Sequence, residues 1–197
     1  MGIVFSDLAV SADGYATGLN QREDAPFGDI DQSWITGWMF EEENRAEREA
    51  IVDAGAVIMG RNMFNPDRGD WSRDWRGWWG EEPPYHAPVF VLTHFPHEPI
   101  EMQGGTTFHF VTDGIRSALD RAREAAGDRG ISIAGGATTV NQYLAAGLID
   151  ELRLHVSPAI LGAGERVFDG VPAQRLELGS VRATSLVTHI TYRPRRD

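Results

Sequence analysis

The stretch from Ile131 to Leu144, ISIAGGATTVNQYL, constrains the fold of this chain more than any other. Its first four residues are short and mostly apolar, which is typical of a buried strand. The chain then turns through Gly135 and Gly136 into a segment with apolar residues on one helical face, which Gly147 ends as a left-handed cap. The next segment, Glu151–Val156, alternates polar with apolar residues. The order strand, helix, strand predicts a parallel pair of strands with a right-handed crossover.

The glycine pair has two interpretations, a ligand site and a plain turn. Glycine has no Cβ, so backbone can approach a bound molecule closely. The N–H groups of Ala137, Thr138 and Thr139 would lie at the positive end of the helix dipole, where a phosphate binds well. The alternative is a tight turn with ordinary capping by Thr138 or Thr139. The glycine spacing is not the GxGxxG of a classical dinucleotide fold, so this stretch alone leaves both interpretations open.

The composition narrows the functional classes. The 197 residues, 42% hydrophobic and 24% charged, suit one globular domain over residues 1–197. A net charge of -11 argues against nucleic acid or an anionic membrane as the main partner, because both would repel the chain. There is no cysteine, hence no disulfide and no thiolate ligand or nucleophile. No signal-like or membrane-length apolar stretch is present, so a cytoplasmic protein is expected.

Apolar runs between turn residues predict the remaining elements. Strands are expected at Ile3–Val10, Ala56–Met59, Pro88–Thr93 and Thr106–Val111, helices at Glu41–Ala54 and Gly114–Ala126, and a last pair of strands near Leu176–Ala183 and Leu186–Tyr192. Because no helix separates the last two strands, they should form an antiparallel hairpin at one sheet edge. One mixed sheet with helices on both faces accounts for all of these elements.

Two segments have no regular pattern. A loop rich in Gly and Asp runs to about Asp31, and long loops in compact domains tend to be functional lids. Residues 65–88 hold four tryptophans at positions 71, 75, 78 and 79 without a clear period. These rings can stack on substrate, form a packed flap or make a dimer contact.

Five short motifs, in this order, resemble the dihydrofolate reductase fold. They are similar above all to the reductase domain of the bifunctional deaminase-reductases of riboflavin synthesis and to its stand-alone relatives. The matching residues are Phe5–Gly14, Val57–Arg61, Val91–Thr93 before Pro96, Ala134–Ala137, and Asp150–Leu152 with Leu161, Gly162 and Gly164. Their order and spacing cover nearly the whole chain.

The resemblance implies an α/β three-layer sandwich. Its sheet would be mixed, mostly parallel and eight-stranded, with helices on both faces and a C-terminal antiparallel hairpin. The resemblance also implies NADPH as hydride donor, a small-molecule substrate and a homodimer. In this fold the glycine pair commonly carries a cis peptide, which is therefore expected between Gly135 and Gly136.

The resemblance also assigns cofactor-binding residues. Three segments of this chain match the family's cofactor contacts: Gly60, Arg61 and Asn62; Thr93 and His94; and Gly135, Gly136, Ala137, Thr138 and Thr139. Arg61 would bind the adenosine 2′-phosphate through charge-assisted hydrogen bonds, which favours NADPH over NADH. Arg61 can instead pair with Asp67 on the surface, and Thr93 and His94 can simply cap a strand end. His94 and His97 do not suggest a metal site, because no third ligand is near.

The candidate catalytic residues are Asp13, Glu43 and Asn44. In dihydrofolate reductases a carboxylate early in the helix before the strand that here ends at Gly60 orients the substrate. That place falls at about Asn44, with Glu43 beside it, and an amide cannot hold a pterin by the same charge-paired bond. Asp13 lies in the turn after the first strand, where it can simply satisfy turn backbone. All 18 basic residues are arginines, so a substrate phosphate would have to meet an arginine such as Arg68, Arg73 or Arg76.

The sequence therefore predicts an NADPH-dependent reductase that acts on a C=N or C=O bond of a small heterocyclic or carbonyl compound. The substrate and the proton donor stay open. The rival hypothesis is a non-catalytic module that binds NADPH or dimerises but has lost turnover, which the amide at position 44 favours. A flavin-binding reductase of similar size is a third hypothesis, and its purified protein would be yellow.

Overall fold

A computed structural model describes residues 2–195 of the chain. Its strands are β1 (Val4–Ser11), β2 (Tyr15–Thr17), β3 (Ala56–Gly60), β4 (Pro88–Leu92), β5 (Ile100–Glu101), β6 (Thr107–Val111), β7 (Ile131–Gly135), β8 (Glu151–Ser157), β9 (Glu165–Arg166), β10 (Leu176–Ala183) and β11 (Thr188–Pro194). Its α-helices are α1 (Ser33–Thr36), α2 (Arg45–Val52), α3 (Arg61–Phe64), α4 (Ile115–Ala126) and α5 (Ala137–Ala145).

Nine strands form the main sheet in the order β10-β11-β8-β1-β7-β3-β4-β6-β5. Six consecutive strands of this order are parallel to one another: β8, β1, β7, β3, β4 and β6. The hairpin of β10 and β11 closes one edge and is antiparallel, as predicted. The mostly parallel α/β sheet with a C-terminal hairpin is thus confirmed. The ninth strand is β5, a two-residue strand antiparallel to β6, too short to give a sequence pattern.

The first prediction, a parallel pair formed by β7 and β8, is correct in direction but wrong in adjacency. β1 lies between them and pairs with both, for example through Phe5, which is opposite Ser132 of β7 and Glu151 of β8. Seven of the eight residues of β1 are buried and five are apolar, so it is most stable at the centre of the sheet, covered on both faces. The crossover through α5 therefore spans two strand spacings, about 10 Å.

Each face of the sheet has its own apolar core. On one face α4 and α5 pack with inward residues such as Leu119 and Tyr143 against Ile58 and Ile133 of the sheet. On the other face α3 packs through Phe64 together with the tryptophan-rich segment. Helices on both faces of the sheet confirm the predicted three layers.

The segment 41–54 is less helical than predicted. A short 3-10 turn covers Glu42–Asn44, and the α-helix begins only at Arg45 and ends at Val52. None of its residues is fully buried. This helix is therefore only partly covered, and its residue Ile51 lies in the wall of the cavity described below.

Trp71, Trp75 and Trp79 pack against the second core, which supports the packed flap among the three interpretations of this segment. Trp75 donates through Nε1 to the carbonyl of Phe64 at 2.6 Å. The flap also reaches the site, because Trp78 and Trp79 lie in the cavity wall.

Candidate active site

A cavity of about 730 Å³ opens where the parallel strands end. This volume lies in the range of small-molecule and cofactor sites, and the carboxyl ends of parallel strands are where α/β sheets bind ligands. Nine of the ten predicted cofactor residues lie in its wall: Gly60, Arg61, Asn62, Thr93, His94, Gly136, Ala137, Thr138 and Thr139. Gly135, the tenth, is the last residue of β7 and directly precedes this wall. The structure therefore brings together three segments that are far apart in sequence.

The glycine turn forms one end of the cavity. The peptide bond between Gly135 and Gly136 is cis, as the resemblance implies. A side chain at Gly136 would meet no atom within 4 Å, so this backbone faces open space. α5 begins directly after it. The N–H of Thr139 donates to the carbonyl of Gly136 at 2.9 Å, so of the three predicted N–H donors only those of Ala137 and Thr138 lack an intrahelical acceptor. The turn can therefore receive an anionic ligand, while the hydroxyl of Thr138 donates to Glu165 at 3.1 Å.

Because Gly60 has no side chain, the turn after β3 can lie close to the beginning of α5. A Cβ at Gly60 would lie 2.3 Å from Oγ1 of Thr139 in α5, much closer than two non-bonded atoms allow. The end of β3 and the beginning of α5 therefore form one continuous surface.

Arg61 is the main charge of this surface and has few partners of its own. Its guanidinium carbon lies 3.9 Å from the ring centre of Trp71 and 5.1 Å from that of Phe95, so aromatic faces hold it in place. Its Nη2 reaches the carbonyl of Asp70 at 3.4 Å. Its Nε and Nη1 are buried and have no hydrogen-bond partner within residues 2–195. Burial lowers the pKa of Arg61, so an anion bound here would stabilise its charged form.

The surface pairing of Arg61 with Asp67, the alternative interpretation, is not seen. Both carboxylate oxygens of Asp67 accept instead from Arg73, at 2.7 and 2.9 Å. Thr93 does cap its strand end, because its Oγ1 accepts from the N–H of Phe95 at 3.1 Å. Both Thr93 and His94 also line the cavity, so capping and ligand contact are compatible.

The three candidate catalytic residues lie outside the cavity wall. Asp13 accepts from the hydroxyl of Ser11 and from the N–H groups of Leu161 and Gly162. These bonds, with Ser11 the largest cause, lower the pKa of Asp13 to about 2. Its carboxylate thus ties the turn after β1 to the loop after β8, as the turn alternative expects.

Glu43 and Asn44 are also held by the protein itself. Glu43 accepts from the hydroxyl and N–H of Ser185, and the hydroxyl bond is the main cause that lowers its pKa. Asn44 is completely buried, and its Oδ1 lies 3.0 Å from Nε2 of His189. Their catalytic role stays a prediction that this geometry does not support.

A second part of the cavity wall contains two titratable residues that the sequence analysis missed, Asp7 and His155. Nε2 of His155 lies 3.1 Å from Oδ1 of Asp7, and both side chains are only 3% exposed. Two features of the sequence could have identified these residues. Asp7 is the one charge in the apolar run of β1, and His155 alternates with the core residues Leu154 and Val156.

His189 lies behind His155, outside the cavity wall. Its Nδ1 lies 2.7 Å from Nδ1 of His155, and the ring of Trp38 packs against both imidazoles. Burial, followed by the nearby His155, lowers the pKa of His189 to about 4. His189 is therefore neutral near pH 7.

Residues 2–195 contain neither a cluster of metal ligands nor a membrane-spanning helix. No cluster of three or more His, Asp or Glu side chains there is arranged to hold a metal ion. No described helix combines the length and the apolar character needed to cross a bilayer.

The fold and the site define an α/β protein with a ligand-sized cavity between a glycine turn, a poorly partnered arginine and a buried Asp–His pair. The chain belongs to the family of the RibD C-terminal domain, whose model matches residues 3–191. This match confirms the resemblance to the reductase domains of riboflavin biosynthesis. An oxidoreductase is therefore the class of enzyme to which the family points.

Three relatives illustrate the family. The uncharacterized protein YyaP of Bacillus subtilis is 24% identical over 96% of this chain and 93% of its own. A putative riboflavin biosynthesis protein from Shewanella sp. PV-4 has a TM-score of 0.65 and 21% identity, over 98% of this chain and 99% of its own.

The third relative is a deaminase/5-amino-6-(5-phosphoribosylamino)uracil reductase from Thermotoga maritima, with a TM-score of 0.60 and 15% identity. The match covers 98% of this chain but only 56% of that longer one. At these identities the solved structures show that the fold is shared.

Proposed function

We propose that this protein is an NADPH-dependent reductase that transfers hydride to a C=N or C=O bond of a small heterocycle. The observation that carries the proposal is Arg61. A half-buried guanidinium that lies against two aromatic rings in a cavity wall, with two nitrogens that have no partner within residues 2–195, is suited to a phosphate group. NADPH differs from NADH by one such phosphate.

The residues of the cavity fit the rest of the cofactor. The first N–H groups of α5 and the open backbone at Gly136 suit a pyrophosphate. Bound NADPH would supply hydride, and the protein would hold it against the substrate and exclude water. The apolar side chains of Leu8, Ile51 and Phe27 in the same wall favour such exclusion.

The first substrate to test is 5-amino-6-(5-phosphoribosylamino)uracil, on which the relative from Thermotoga maritima acts. Its phosphate needs a cation, and Arg68 is a second arginine of the cavity wall. Arg73 and Arg76 are occupied elsewhere, by Asp67 and Glu23 and by the carbonyl of Glu101 respectively.

The test follows the absorbance of NADPH with this compound and with a panel of pterins, pyrimidinones, quinones and aldehydes. We expect consumption with at least one heterocycle, and slower consumption when NADH replaces NADPH. Binding of NADPH without consumption across the whole panel would favour the non-catalytic module. A yellow protein as purified would favour the flavin-binding alternative.

A further inference from the structure

A chain of four buried side chains runs from the cavity wall into the protein behind β1 and β8. It begins at Asp7, passes to His155 at 3.1 Å and to His189 at 2.7 Å, and ends at Asn44 at 3.0 Å. All four residues are at most 8% exposed. Of these four, only Asp7 and His155 lie in the cavity wall.

Asn44 fixes the direction of the hydrogen bonds. Its Nδ2 donates to the carbonyl of Trp38 at 3.0 Å, so its Oδ1 is the atom that faces His189. Nε2 of His189 must then carry the hydrogen of that bond. Because His189 is neutral, its Nδ1 is an acceptor, and Nδ1 of His155 must donate to it.

The contact between His155 and Asp7 needs one more proton. If Nε2 of His155 carried none and Asp7 were ionised, two lone pairs would face each other at 3.1 Å in buried surroundings, which is costly. Two arrangements satisfy the contact: an imidazolium beside a carboxylate, or a neutral imidazole beside a carboxylic acid. They differ by the shift of one proton along one hydrogen bond.

Charged groups surround both ends of the chain. Nη1 of Arg153 lies 3.4 Å from Oδ2 of Asp7, the carboxyl oxygen that does not face His155. At the far end, Arg182 donates to Asn44 and pairs with Glu47. The remaining charged neighbours are Glu151, which pairs with Arg153, and Glu43, whose backbone carbonyl accepts from Arg182.

The pair meets the cavity at one end of the chain. At the other end lies Asn44, whose amide does not titrate. Both nitrogens of His155 are already engaged, by Asp7 and His189. Each oxygen of Asp7 also has a neighbour, His155 or Arg153, but a carboxyl oxygen has a second lone pair. Asp7 is therefore the member of the pair that can also bond a ligand.

We propose that Asp7 and His155 together store the proton that the reduction consumes, with Asp7 as the proton donor and His155 as the positioning residue that keeps this proton within its reach. This inference rests on the proposed reductase function. Reduction of a C=N bond forms one C–H bond with hydride from the cofactor, and the π electron pair moves to nitrogen. Nitrogen takes the proton from the carboxyl of Asp7, which leaves a carboxylate and a neutral His155. Water in the open cavity returns the proton before the next turnover.

The first test needs neither cofactor nor substrate. In protein labelled with 15N-histidine, His155→Gln and His189→Gln assign the two signals by their loss. We expect Nδ1 of His155 and Nε2 of His189 each to carry a hydrogen, with Nδ1 of His189 as a bare acceptor. A bare Nδ1 on His155, or a hydrogen on Nδ1 of His189, would overturn the proposed proton store.

The second test measures turnover with whichever substrate of the panel is reduced. Asp7→Asn should lower kcat about 100-fold or more, the usual contribution of a general acid, while the Kd for NADPH changes less than twofold. His155→Gln should lower kcat less and change the pH profile of kcat. The control is His109→Gln, since burial also lowers the pKa of His109 but its side chain lies outside the cavity wall.

The outcomes separate the two proposals. If Asp7→Asn keeps kcat within threefold of the native protein, Asp7 is not the donor. If Asp7→Asn weakens NADPH and lowers kcat in proportion, its role is structural and the inference is wrong. If no compound of the panel is reduced, the reductase function itself fails, and with it the role of the stored proton, whatever the 15N spectra show.

Discussion

The two walls of the cavity are built in different ways. The first wall, made of Gly60, Arg61 and the beginning of α5, uses backbone and short turns directly after strands. The second wall contains Asp7 and His155, and their side-chain network continues behind it to His189 and Asn44. The contacts of this network join residues 148, 34 and 145 positions apart. The first wall therefore follows from local sequence, whereas the network forms only after β1, β8 and β11 have paired. We propose anion binding at the first wall and proton handling at the second.

The largest effect should come from Arg61→Ala, which removes the charge of the first wall. We expect the Kd for NADPH to rise about 100-fold, or about 2.8 kcal/mol, while the Kd for NADH changes less than threefold. Titrations monitored by tryptophan fluorescence measure both constants. The matched control is Arg76→Ala, because Arg76 lies outside this cavity wall. An equal loss for both cofactors would make Arg61 a structural residue.

Asn44→Ala tests whether the inner end of the network behind the second wall is structural. It would leave the N–H of His189 and the carbonyl of Trp38 without these partners in a buried place. We expect the free energy of unfolding to fall by about 2 kcal/mol, measured by urea denaturation. Glu43→Ala, at the exposed neighbouring residue, should leave Tm nearly unchanged. If Asn44→Ala were fully stable but inactive, a catalytic role for Asn44 would return.

Gly60→Ala tests the contact between the two turns of the first wall. The added Cβ would overlap Oγ1 of Thr139, so the free energy of unfolding should fall by about 1–2 kcal/mol. The double variant with Thr139→Ala removes the overlapping atom and should recover most of that loss. Without recovery, the strain must lie elsewhere than in this contact.

The last prediction concerns pH and His189, which lies behind the second wall. His189 has its pKa lowered from 6.5 to about 4 in the fold, so the unfolded chain binds more protons between these values. Stability should therefore fall by about 1–2 kcal/mol as pH drops from about 6.5 to about 4, and this group should add little below that. In His189→Gln the same interval should show a smaller slope in urea denaturation. Identical slopes would contradict the lowered pKa.

Much of the fold was predictable because its signals are local. The apolar run of β1, the glycine turn at Gly135 and the amphipathic pattern of α4 each fix an element within a few residues. The placement of β1 between β7 and β8 was not predictable, since several strands are apolar enough to be central. β5 was missed because two residues carry no periodicity.

The residues of the site likewise fall into those that local sequence predicts and those that only strand pairing brings together. Arg61 and the turn before α5 follow strand ends directly, so their shared location at one sheet edge follows from parallel topology. Asp7 and His155 become partners only through the register of β1 with β8. The position of Asn44 before β3 predicts a catalytic role, but the short 3-10 turn there directs its side chain to His189.

The central claim is that the first wall binds the phosphorylated form of the dinucleotide. The most direct measurement is a calorimetric titration of the native protein with NADPH and with NADH under the same conditions. We predict that NADPH binds at least about tenfold more tightly, by about 1.4 kcal/mol. Equal affinities, or no binding of NADPH, would contradict the account.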